Sequence, residues 1–292
     1  MTGRKPLALG VALGLAFALA GTGASQPAPG APFTVAETGQ GYASLADAVA
    51  AIGAGRGTIR IAPGRYRECA VQEAGEIVFS AVTPGSVTFD GVMCEGKAAL
   101  VLRGRAARVE GIVFTNMQVP DGNGAGIRIE QGNLHVSEVL FLNGQCGILS
   151  ATDPSGHITI DHSTFSGLGR HPDGNGAHAL YIGHYGSLTV TNSRFERGTG
   201  GHYLKSRTPR VTILNSSFDD SQGQNTNYLI DLPNGASGRI AGNTFVQGTN
   251  KENYSTLITV APEGLEHSST GLLIEDNVAS LAPGFRWTTA FV

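Results

Sequence analysis

With 292 residues, 42 of them glycine and only 15% charged, the chain has the composition of many short strands and turns rather than of long helices. A formal charge of −3 supplies no basic surface for a phosphate backbone, so nucleic acid is not an expected partner. The length suits one elongated domain that grows by stacking repeats.

The chain opens with Arg4 and Lys5, continues through an unbroken small and apolar run from Leu7 to Ala20, and offers Thr22-Gly23-Ala24 as small residues at a cleavage site. That order predicts a signal peptide over residues 1–24 and a secreted or periplasmic mature protein beginning near Ser25. The apolar run is shorter than the roughly 20 residues of a spanning helix, so no membrane anchor is expected. Residues 25–32, rich in Pro and Ala, read as a linker, and residues 33–292 as a single domain.

Leu45, Ala48, Val49 and Ile52 have helical spacing, and the strand-like run Gly57 to Tyr66 follows. A short helix there would shield the backbone edge of the first repeat. Cys69 and Cys94 lie about one repeat apart, which allows a bridge between neighbouring repeats; the alternative is three reduced, packed cysteines. Cys146, which precedes a strand, reads as a buried free thiol.

From there a repeat dominates. Seven segments share one frame: VEGIVF ending at Phe114, VSEVLF at Phe141, IDHSTF at Phe165, VTNSRF at Phe195, ILNSSF at Phe218, IAGNTF at Phe245 and IEDNVA at Ala279. A β-branched residue stands five positions before each end, at Val109, Val136, Ile160, Val190, Ile213, Ile240 and Ile274. A straight strand alternates its faces and cannot bury residues five apart, so each segment must bend. The third position holds Gly111, Glu138, His162, Asn192, Asn215, Gly242 and Asp276, and all but Glu138 are types that favour a left-handed bend. Strand, bend, strand and return every two dozen residues or so describes one coil of a parallel β-helix, with the phenylalanines as an interior column.

Upstream of each frame lies another strand: AALVLRG, AGIRIEQ, CGILSAT, HALYIGH, HYLKSRT, YLIDLPN and TLITVAP. Burying their third and fifth positions keeps Arg128, Lys205 and Asp231 out of the core, and a slip of one residue would bury them. The fourth positions then form an outward column of Val101, Arg128, Leu149, Tyr181, Lys205, Asp231 and Thr259, with Arg207 two residues beyond Lys205. His178 and His202 stack at the rim. The insertions SGLGRHPDGNGA and VQGTNKENYS, which precede two of these strands, would wall a groove suited to a linear polymer. Lys205 and Arg207 are expected to be solvent-exposed, and Asp219-Asp220 to belong to a turn.

The segment SLADAVAAI followed by GTIRIAPGRY resembles the opening of the pectate-lyase-like β-helix superfamily. The resemblance implies an all-β, single-stranded right-handed parallel β-helix with a short N-terminal capping helix. GAHALYIG, GHYLKSR, YLIDLPNG, GNTFVQG and APEG are similar to the signature of bacterial exported right-handed β-helix repeat proteins, which marks His202, Lys205, Arg207, Asp231, Asn234 and Glu263.

Lyases of that superfamily make β-elimination at a uronic acid the leading expectation, with an anionic polysaccharide as substrate and a monomeric protein. Elimination needs a group to neutralise the carboxylate, a base and an acid. Arg207 can hold the carboxylate, and Lys205, His202 or Tyr181 can exchange protons; these four are the catalytic candidates. Asp231, His178, Arg128, Asn234 and Glu263 are candidates for substrate binding. No metal or cofactor is expected, with calcium as the alternative: similar lyases recruit it, although this face carries no tight carboxylate cluster. Asp231 at coil spacing favours the ammonium form of Lys205, which argues against a base there. The alternative is a non-catalytic glycan-binding or structural module. Hydrolysis is weaker, because it requires two carboxyl groups about 5–10 Å apart and the column offers one.

Overall fold

The bend that the phenylalanine frame requires is made in all seven coils. Gly111, Glu138, His162, Asn192, Asn215, Gly242 and Asp276 all have positive φ, between 44° and 68°. Glu138 adopts the left-handed turn although its residue type does not favour it, because the flanking strands must follow the column. The computed structural model describes residues 1–3, 30–169 and 177–292. The expected signal peptide, most of the linker and the 170–176 stretch of the first insertion lie outside these residues.

Each coil contributes one strand to each of three sheets, and strand order within a sheet advances by three along most of its length. Among the described residues the sheets have eleven, nine and eight strands. The result is a right-handed parallel β-helix, all-β among the described residues apart from one helix. Val109, Val136, Ile160, Val190, Ile213, Ile240 and Ile274 pair in succession in the eleven-stranded sheet. The column from Phe114 to Ala279 pairs likewise in the nine-stranded sheet. From Phe114 to Phe245 the rings stack with centroids 4.6–5.4 Å apart, and Phe89, Tyr66 and Phe33 extend the row beyond the frame.

The N-terminal end is sealed by two devices. The helix Leu45–Ile52 is capped by Ser44, whose Oγ accepts from the Asp47 amide at 3.1 Å, and it buries Leu45, Ala48 and Val49. It packs on Ala70–Gln72, the end strand of the eight-stranded sheet. The edge of the eleven-stranded sheet is covered by a hairpin of Phe33–Val35 and Gln40–Tyr42, whose first strand pairs antiparallel with Arg56–Ile61. The expected helix therefore shields one sheet and the hairpin another. At the far end, the Leu257 and Ile258 amides donate to the Ala290 and Phe291 carbonyls, both at 3.1 Å, and the Phe291 ring meets Phe245 edge-on. That tail covers the eight-stranded sheet, whereas Val278–Leu281, which ends the nine-stranded sheet, is exposed along its whole length.

Cys69 and Cys94 are bridged, and Cys146 is a buried free thiol. No helix among the described residues is long and apolar enough to cross a membrane.

Candidate functional site

The eight-stranded sheet carries the outward column in the expected register, through Val101, Arg128, Leu149, Tyr181, Lys205, Asp231 and Thr259. Its two halves differ. Val101 and Leu149 join Ala98, Ala125, Cys146 and Ala177 in a small apolar cluster outside the tube. Beyond it the column turns polar, and the expectation of exposure fails there: Lys205 is 8% exposed and Asp231 only 2%. The cause is a turn after Val260, in which Ala261 has φ 57° and the Glu263 amide donates to Pro233 O at 3.1 Å. This turn brings the Glu263 carboxylate back over the strand.

Glu263 then joins two cations. Lys205 Nζ donates to Glu263 Oε1 at 2.7 Å and lies 3.1 Å from Asp231 Oδ2. Arg207 spreads its fork over three residues: Nη2 to Glu263 Oε2 at 2.6 Å, Nη1 to Asn234 Oδ1 at 2.5 Å and Nε to the Tyr181 hydroxyl oxygen at 3.0 Å. Burial works against the Lys205 ammonium, but Glu263 and Asp231 outweigh it and hold its pKa above the ordinary lysine value. Glu263 is held low, chiefly by the Lys205 hydrogen bond and also by Arg207. Burial dominates at Asp231 and raises its pKa despite Lys205, and its Oδ1 is buried without a partner.

The rim histidines touch. Gly201, at φ +62°, makes this approach possible, since a Cβ there would collide with the Ala177 carbonyl oxygen and stand 2.8 Å from His178 Nδ1. The His202 amide donates to His178 Nδ1 at 3.0 Å, so that nitrogen carries a lone pair. His202 Nδ1, 3.1 Å from the same atom, must then hold the proton, and its Nε2 lone pair faces Asp231 Oδ2 at 3.5 Å. Burial, together with Lys205 and Arg207, lowers the His178 pKa to about 4; burial, His178 and Lys205 lower that of His202 to about 2. Both imidazoles are neutral at pH 7.

Tyr181, His178, His202, Lys205, Arg207, Asp231, Asn234 and Glu263 therefore form one connected cluster. Arg128 does not join it. It sits two strands before Tyr181 in the column, with Nε 3.6 Å from Glu130 Oε1, and with Leu149, Ser150 and Tyr181 it lines a surface cleft of about 320 Å³. The cleft adjoins the cluster only at Tyr181. Asp220 opens a turn as expected, its carbonyl accepting from the Gly223 amide at 2.9 Å, but its side chain is fully buried, 2.9 Å from Lys251 Nζ and hydrogen-bonded to the Tyr203 and Thr226 hydroxyls. The VQGTNKENYS insertion is thus pinned inward by Lys251. Only the single lysine of that insertion hints at this in the sequence.

Chemically, the cluster presents two cations that share the Glu263 carboxylate, a second, buried acid in Asp231 beside Lys205, a phenol in contact with a guanidinium, and two neutral imidazoles. Lys205, held as ammonium, can stabilise negative charge but is not a base. His202 has a lone pair but resists protonation. Tyr181, half-buried at the cleft, turns its hydroxyl oxygen to Arg207 Nε.

A three-sheeted parallel solenoid with a polar cluster on one face defines the class as a right-handed β-helix protein. Residues 90–281, more than half of the chain, match the family model described as the right handed beta helix region, and the chain belongs to that family. It is 27% identical over 131 residues to the probable autotransporter YfaL of Escherichia coli (strain K12), a match over 45% of this chain that spans only 10% of that relative's length. Among solved structures it is similar to the pectin methylesterase from Aspergillus niger. The penultimately deglycosylated form gives a TM-score of 0.54 at 14% identity over 92% of both chains, and the deglycosylated form gives 0.55 at 14% over 87% of both. At that identity the likeness is one of fold.

Proposed function

We propose that the protein is exported and binds an acidic polysaccharide along the eight-stranded sheet, with Lys205 and Arg207 receiving a uronate carboxylate. The observation that carries this reading is Glu263, whose two oxygens already sit 2.7 Å from Lys205 Nζ and 2.6 Å from Arg207 Nη2. Two desolvated donors arranged around one carboxylate will accept another of the same shape. A bound chain displaces Glu263, which is 45% exposed and sits on a turn. The likeness to a pectin methylesterase supports a polysaccharide ligand, and the Cys69–Cys94 bridge supports an oxidising compartment.

Beta-elimination is the reaction this arrangement would serve. Arg207 and Lys205 neutralise the carboxylate and so acidify the C5–H; Tyr181 removes that proton and returns it to the departing oxygen as the C4–O4 bond breaks and the C4–C5 double bond forms. Binding without turnover is the second reading. It is favoured by the pinned ammonium of Lys205 and by the suppressed protonation of His202.

Calorimetry with polygalacturonate and alginate, set against a neutral glucan, tests the ligand class. Binding to the polyuronates should fall with salt, weaken about tenfold or more in Arg207→Ala and tighten in Glu263→Gln. Equal binding of the neutral glucan would overturn the proposal. New ultraviolet absorbance from unsaturated uronate separates lyase from binder.

A further inference from the structure

Glu263 begins a stretch that runs against the direction in which the coils grow. After pairing with Lys205 and Arg207, the chain continues to Glu266 and His267, whose amides both donate to the Asn234 carbonyl, at 3.0 and 2.9 Å. His267 Nε2 then reaches Arg207 O at 3.1 Å, one coil further back. His184 stands a coil earlier still, two residues past the strand Leu180–Ile182. The stretch thus crosses the edge of the sheet to bring two of its side chains beside one that follows a much earlier strand.

Among the described residues, His184, Glu266 and His267 each offer one ligand atom within 4.8 Å of the other two. They do not hold one another by hydrogen bonds of normal length: His184 Nδ1 and Glu266 Oε2 are 3.8 Å apart, beyond hydrogen-bond range. That separation is close to the edge of a small coordination polyhedron, since two donors on one tetrahedral zinc stand about 3.3 Å apart. The carbonyl of Arg207 can only accept, so His267 Nε2 carries its proton and Nδ1 its lone pair. A ligating histidine is oriented in this way when its other ring nitrogen donates to a backbone carbonyl.

We propose that His184, Glu266 and His267 bind a first-row transition metal ion of the zinc class. Two imidazoles and one carboxylate select such an ion over calcium, which takes six to eight oxygen ligands. Three protein ligands leave a position for water. The side chains of His184 and Glu266 are 42% and 55% exposed, so the ion exchanges with solvent. Its structural effect is to fasten the Glu263 stretch to the strand that carries Tyr181, independently of whether the neighbouring cluster binds a glycan.

Zinc chloride titrated calorimetrically into tag-free, chelator-stripped protein tests the site. One ion should bind per chain, and the affinity should fall about tenfold or more in both His184→Ala and His267→Ala. His178→Ala, which alters the other histidine pair, should leave zinc affinity unchanged. Cobalt should give a visible spectrum in the native protein that both ligand variants lose. Circular dichroism of the metal-free variants, expected to match the native protein, separates lost ligands from lost fold. Undiminished zinc binding in His184→Ala and His267→Ala, dependence on His178, or calcium bound in preference to zinc would each overturn the assignment.

Discussion

The outward column of the eight-stranded sheet divides into two stretches with the same backbone and the same pairing. Around Val101 and Leu149 it is apolar and packed under its own small cluster; from Tyr181 to Asp231 it is charged, yet Lys205 and Asp231 are nearly as buried. Parallel pairing fixes which residues meet, whereas the side chains and the turn laid over them decide what the surface can do. The first stretch gains from removing hydrocarbon from water. In the second, buried charges persist only because each has a partner.

The most severe way to break the polar stretch is Lys205→Ala, which leaves Asp231 buried and unpaired and should cost about 3–5 kcal/mol in denaturant unfolding. A loss under about 1 kcal/mol would mean that the pair is solvated after all. Making this stretch resemble the other, with Lys205→Met and Asp231→Leu together, should recover most of that stability while abolishing carboxylate binding.

Acid should also distinguish the two stretches, because only the polar one contains paired histidines. His178 and His202 have lowered pKa values in the folded chain, so the unfolded chain takes up protons first. Their contribution is present above the ordinary histidine value near 6.5 and is lost as pH falls from there through about 4. For His178 this loss is on the order of 3 kcal/mol. His178→Asn, which keeps an acceptor for the His202 amide, should flatten the stability profile in that window.

Smaller effects belong to the apolar stretch and to the cleft. Leu149→Ala should cost about 2 kcal/mol and leave polyuronate affinity unchanged. Arg128→Ala, which removes only a long pair with Glu130, should change stability by less than about 1 kcal/mol. A fall in affinity confined to longer oligosaccharides would show that the cleft at Arg128 extends the binding face.

Much of this architecture was legible because alternation with period two makes a one-residue slip costly. Burying Leu204 and Ser206 forces Lys205 outward, and the same reasoning orders Tyr181, Lys205 and Asp231. The bend was legible from Gly111, Asn192 and Asn215, and Glu138 shows that column position outweighs residue preference. A column gives level along the axis but not cover. The cover over Lys205 comes from the Glu263 turn, which belongs to no repeat. Arg128 shares the column, but the strand of Leu149 stands between it and Tyr181. The Phe33–Tyr42 hairpin escaped notice because three-residue strands are too short to show a period. Lys251 and Asp220 meet through an insertion, where spacing carries no information.

The two ends of the solenoid give it a preferred direction of unravelling. At one end a hairpin and a helix hold the first strands, whereas Val278–Leu281 has a neighbour on one side only and is solvent-exposed throughout. In an array where each coil leans only on its neighbours, opening spreads from the least supported terminus. Amide exchange should therefore be fastest at Val278–Leu281, slower at Thr244–Gln247 and slower again at Ser217–Asp219. The stacked phenylalanines would retard it ring by ring, so this gradient would act as a clock for how far the tube has opened.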